Sequence, residues 1–177
     1  MALTWLQIGG AGAVMAASTV WGRLIASGYS QRPRDLRELT SLLRTLRTDI
    51  AYHRLPLADA FARASGQGRE GRALSGLFAT AATLLRQPGM TAQTAWTVAL
   101  GEHAPHTALR AQDREILATL GYSLGTVGAT EQIAYLDAAL SLLADREREA
   151  AEERGRYERV YQTLGVLAGL LIVIMLI

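Results

Sequence analysis

The last eighteen residues, Val160 to Ile177 (VYQTLGVLAGLLIVIMLI), carry no charged side chain and follow directly on a run dense in Arg and Glu. At about 1.5 Å per residue an apolar helix of this length reaches roughly 27 Å, close to the ~30 Å of a bilayer core. Such an end reads as a membrane anchor. Met1 to Gly22 likewise lacks charge, the first being Arg23. Trp5 and Trp21 would lie roughly 24 Å apart on a helix, one indole near each interface. A cleaved signal peptide needs a basic stretch ahead of its apolar run, and none is present. The expected organisation is a transmembrane helix over residues 1–27, a central domain over 28–158 and a second transmembrane helix over 159–177. Arg23, Arg32, Arg34 and Arg37 follow the first span, and Arg154, Arg156 and Arg159 precede the second. Positive flanks mark the cytosolic side. The expectation is a two-span hairpin in the cell membrane with a cytosolic domain at its bend.

The central domain reads as helical throughout. Half of the residues are apolar but only 6% are aromatic, which suits packed helices better than strands rich in β-branched and aromatic residues. Leu36, Leu39, Leu42, Leu43, Leu46 and Ile50 recur at three- and four-residue steps, predicting a helix from Pro33 to about His53. Pro56 opens a short helix, Leu57 to about Ser65, and Gly66 to Gly71 reads as a loop. Leu74, Leu77, Phe78, Ala81, Leu84 and Leu85 predict a helix stopped by Pro88-Gly89. Thr91 caps a helix carrying Ala95, Trp96, Ala99 and Leu100. Pro105 interrupts, Ile116 to Leu124 forms the next helix, and Gly125 to Gly128 turns. From Thr130 a helical pattern runs without a breaker into the charged segment and the tail. The expected fold is all-α, a bundle of about six helices between the two spans.

Charge and residue usage exclude several kinds of chemistry. A net charge of +2 is too small for a nucleic-acid surface. All eighteen basic residues are Arg, so no lysine is available for a Schiff base or a phosphate loop. With no cysteine, thiolate metal sites and Cys nucleophiles are excluded. Gly121-Tyr122-Ser123-Leu124-Gly125 matches the nucleophile elbow of hydrolases, but the elbow needs a strand feeding a turn, and the preceding residues read as helix. His103 and His106, near Glu102, read as exposed loop side chains, because a metal needs three or four convergent ligands. No catalytic, cofactor or metal site is expected.

Two groups of residues read as contact surfaces. Gly165 and Gly169 form a G-x-x-x-G that would let another helix approach the tail closely. Arg32, Arg34 and Arg37 suit a membrane surface or an acidic partner. The run Asp145 to Arg159 holds six acids and five arginines and reads as a solvated, salt-laced helix.

Arg32-Pro33-Arg34, Ile50-Ala51-Tyr52, Pro56-Leu57, Thr94-Ala95-Trp96 and the tail segment Thr163 to Leu171 resemble, in order and spacing, the stage III sporulation protein AB family. The chain departs from the family at Gly128-Ala129, where an acid is usual, and at Tyr157-x-Arg159, where the family has Asn-x-Lys. The resemblance implies a fold similar to the cytoplasmic domain of type II secretion F proteins. It also implies a component of the channel between mother cell and forespore. Its implied partners are a secretion-type ATPase, stage III sporulation protein AA, and the other membrane proteins of that operon; the apolar runs and arginine flanks add membrane lipid, and whether a further copy of the chain joins them is left open by the sequence. On this reading the chain is a non-enzymatic platform. The competing readings are a membrane-anchored adaptor with unrelated partners and a hydrolase using Ser123.

Overall fold

The computed structural model of the chain describes residues 31–69 and 71–176; beyond residue 156 it describes side chains only at Val160, Thr163 and Leu167. Among the described residues there is no strand, and six α-helices account for most of them. They are α1 (Gln31–Thr48), α2 (Leu57–Gln67), α3 (Ala73–Leu85), α4 (Ala92–His103), α5 (Ala111–Ser123) and α6 (Ala129–Leu176). Residues 32–148 form one compact unit, the helical bundle. The described part of the other unit is Gln31 and residues 149–176, the latter a helical segment belonging to α6.

Local chemistry sets several of the helix ends. The Thr91 hydroxyl accepts the Thr94 N–H at 3.1 Å and caps α4. Gly89 and Gly125 turn the chain with φ of +78° and +74°, a region that a Cβ makes costly. Helix α1 does not stop cleanly. Its last turn widens into a π-helical turn, Asp49–His53, which ends on Arg54 in the left-handed region, φ 48°. The predicted end near His53 is therefore right in position but wider in winding.

The core follows the leucine spacing. Leu36, Leu39, Leu42, Leu43 and Leu46 of α1 are all buried, and each contributes about 1.5–3 kcal/mol by leaving water. Helix α2 packs on α3, α3 on α4 and α4 on α5. One aromatic residue from each of the first three meets at the centre. Trp96 of α4 stacks on Phe61 of α2 at 5.6 Å and stands edge-on to Phe78 of α3 at 5.4 Å. Trp96 is fully buried, so its indole N–H needs a partner; it donates to the Leu117 carbonyl of α5 at 2.8 Å. The indole reaches α5 only because residue 121 is glycine, where a Cβ would lie 2.5 Å from Trp96 Cδ1.

Among the described residues no helix is long and apolar enough to cross a membrane. This corrects the expectation of a bundle between transmembrane helices, and with it the two-span hairpin and the location argued from it. Up to residue 156 the described side chains of α6 include Glu131, Asp137, Asp145 to Glu149, Glu152 and Glu153; each charge costs about 2.5–3.5 kcal/mol in hydrocarbon, so this part of the helix is no span, and the uncharged run begins only at Val160. The proposed first span, residues 1–27, lies outside the described residues.

Filling the contact at residue 121 tests the aromatic centre. Gly121→Ala is expected to lower the free energy of unfolding by about 1–3 kcal/mol, because the indole must move. Gly101→Ala in α4 has open space within 4 Å and is expected to be neutral or stabilising by up to about 1 kcal/mol. Urea unfolding of both variants gives the comparison.

Candidate functional site

Helix α1 sorts its charges into an inner and an outer set. Arg32 lies inside. Its Nε and Nη2 donate to the two carboxylate oxygens of Asp113, each at 3.0 Å, and the carboxylate is fully buried. Asp113 is the third residue of α5, and it also accepts the Arg110 N–H at 2.9 Å. One carboxylate therefore holds a guanidinium fork and closes the first turn of its own helix, where a negative charge is favoured.

The acids of α1 turn inward as well. Asp35 accepts the Ala108 N–H at 2.8 Å, and Glu38 accepts from Arg72 at 3.0 Å. Arg72 also stands 3.8 Å from Asp35, so α1 is tied to the residue preceding α3 and to the loop before α5. Asp49, in the π-helical turn, is 2% exposed with Arg63 at 3.5 Å and His53 at 4.0 Å.

The outer set is basic. Arg37 donates to Glu147 at 2.8 Å, and Arg47 forks onto Asp137 at 2.8 and 3.0 Å. The two contacts are ten residues apart on each helix and run in opposite directions, so α1 and this part of α6 are antiparallel. The Asp137 hydrogen bond, then its charge, raise Arg47 above its ordinary pKa, with a smaller push in the same direction from Tyr52. Tyr52 itself is 75% exposed. Arg34, Ser41, Arg44 and Thr48 are also exposed.

The sequence candidates distribute as follows. Arg34 and Arg37 are on the surface; Arg32 is not, because Asp113 draws it inside, so the predicted group of three divides. Gly165 and Gly169 fall outside the residues whose side chains are described. Ser123 is buried and donates to the Leu120 carbonyl at 2.8 Å. In the G-x-S-x-G, Gly121 serves Trp96 and Gly125 turns the chain. His103 is not an exposed loop residue: it ends α4, packs against Gly76 and shares a 2.9 Å hydrogen bond with Thr80. His106 is exposed. Among the described residues no group of three or more His, Cys, Asp or Glu could hold a metal. Sequence reasoning missed Asp113, although an acid three residues into a helix is a recognised start signal. It also missed Asp137, Arg44 and Tyr52, whose relation depends on how α1 lies against α6.

A family model described as stage III sporulation protein AB matches residues 7–177. The chain is 30% identical over 171 residues to the stage III sporulation protein AB of Bacillus subtilis (strain 168), covering 97% of this chain and 99% of that one. A solved structure of a stage III sporulation protein AB superposes with a TM-score of 0.66 at 27% identity, covering 71% of this chain and 98% of the other.

The buried fork gives a direct prediction. Asp113→Ala leaves Arg32 buried beside no carboxylate and is expected to cost about 3–5 kcal/mol in urea unfolding. The double replacement Arg32→Met/Asp113→Leu is expected to recover much of that loss, because no charge then remains inside.

Proposed function

The chain belongs to the stage III sporulation protein AB family, and on that premise we propose that it is a non-enzymatic platform protein of a secretion-like sporulation channel between mother cell and forespore. Its helical bundle receives a cytosolic secretion-type ATPase, stage III sporulation protein AA. The observation that carries this reading is the division of labour in the polar residues. Inside the bundle they are used for structure: Asp113 on Arg32 and α5, Asp35 and Glu38 on Arg72, His103 on Thr80, Ser123 on its own helix. A catalytic centre instead brings a nucleophile, a base and a group that stabilises charge around one point. Here the interior groups lie on separate elements and bind structural partners. What the bundle offers a partner is its surface, ordered by ion pairs.

Two experiments test the proposal. Purified full-length chain and stage III sporulation protein AA from the same organism are expected to form a complex with a dissociation constant in the range of about 1–10 μM, weakened by salt. Absence of a complex at about 100 μM of each protein by analytical ultracentrifugation is the contrary result. Ser123→Ala removes only a local hydrogen bond, worth about 1 kcal/mol. It is expected to leave spore formation intact in a strain whose own copy has been replaced. Loss of spores with stability preserved would favour the hydrolase.

A further inference from the structure

The outward face of α1 is basic from one end to the other. Arg34, Arg37, Ser41, Arg44 and Thr48 follow at three- and four-residue steps, which places them in one line over about 21 Å, and all five are exposed. No acid of α1 itself interrupts the line. Asp35 and Glu38 are turned inward to Ala108 and Arg72, and Asp49 is buried. Arg37 and, at the edge, Arg47 are held by Glu147 and Asp137. Among the described residues no acid meets Arg34 or Arg44.

A further observation points outward from the same line. At one end stands Tyr52, 75% exposed on the π-helical turn, with the backbone of Arg54 held at φ 48° just beyond it. π-Turns and residues at positive φ concentrate at functional positions, and Arg and Tyr are the side chains on which binding energy concentrates.

We propose that the line Arg34–Arg37–Arg44, closed by Tyr52, is the docking surface for an acidic segment of the ATPase; this rests on the ATPase-docking reading and adds to it the face and its chemistry. The carboxylates of that segment meet Arg34 and Arg44, which have open guanidinium forks, and an apolar side chain beside them covers the tyrosine ring. Charge complementarity selects a protein segment over a lipid surface. Two uncompensated arginines are too few to hold a chain on anionic lipid by charge alone, whereas planar forks at fixed spacing match carboxylates in pairs.

The test uses the full-length chain carrying Arg34→Glu and Arg44→Glu together. Among the described residues neither guanidinium has an acidic partner to lose and both side chains are exposed, so the unfolding midpoint is expected to hold. Affinity for the ATPase is expected to fall about tenfold or more, with a flatter salt dependence. Tyr52→Ala is expected to weaken binding by about tenfold with the salt dependence preserved. Arg114→Glu, on α5, serves as the control and is expected to bind as the unmodified chain does. A double variant that binds normally overturns the surface and leaves the docking reading standing. An unmodified chain that does not bind the ATPase removes both. Phosphatidylglycerol vesicles supply the last arm: loss of vesicle binding in the double variant, with ATPase binding kept, assigns the face to lipid and overturns the proposal.

Discussion

A buried guanidinium–carboxylate fork joins the first turn of α1 to the first turn of α5, eighty-one residues apart in the chain. Burying two charges is expensive, and the cost is offset only when geometry is good and the remaining polar atoms are satisfied. Asp113 meets that condition by taking two bonds from Arg32 and one from the Arg110 backbone. The pair contributes less to net stability than to register. Close-packed apolar side chains already restrict the sliding and rotation of a helix, and a bidentate fork adds a directional constraint to them. Once Arg32 is fixed, the rotation of α1 is fixed, and with it which residues lie inside and which face water.

That rotation explains the sorting of charges along α1. The helix carries both signs, yet its acids face the bundle and most of its arginines face out. Arg72 collects Asp35 and Glu38, while α6 supplies Glu147 and Asp137 to Arg37 and Arg47. The result is a helix of five arginines and two acids whose own outer face carries only the positive sign. Exposed ion pairs of this kind contribute little to stability, typically about 0–1 kcal/mol each. Their effect is to order long side chains that would otherwise sample many rotamers, so that a partner meets a surface already arranged.

The aromatic centre works on a different principle. Phe61, Phe78 and Trp96 come from three successive helices, and the indole N–H bonds to a fourth. A single large side chain thereby defines the spacing of α2, α3, α4 and α5. Gly121 is the complement of that side chain, and its place in a hydrolase-like pentapeptide is coincidental. The same residues that suggest chemistry in one dimension prove to be packing in three.

How much of this was legible beforehand differs by feature. The leucine spacing determined α1, the Thr91 cap determined the start of α4, and the glycine and proline positions determined most turns, because each rests on local backbone and side-chain physics within one or two turns. The family was legible too, since its residues recur in order along the whole chain. The flanking spans were inferred from apolar runs alone: among the described residues no helix is long and apolar enough to cross a membrane, and the first run lies outside them. Tertiary structure alone decided that Arg32 belongs inside while Arg34 and Arg37 do not. It alone decided that His103 lies on Gly76, and that Arg47 meets Asp137 beside Tyr52. These outcomes depend on the rotation and register of one helix against another, and that is set by contacts between residues tens of positions apart, for which a local pattern carries no information.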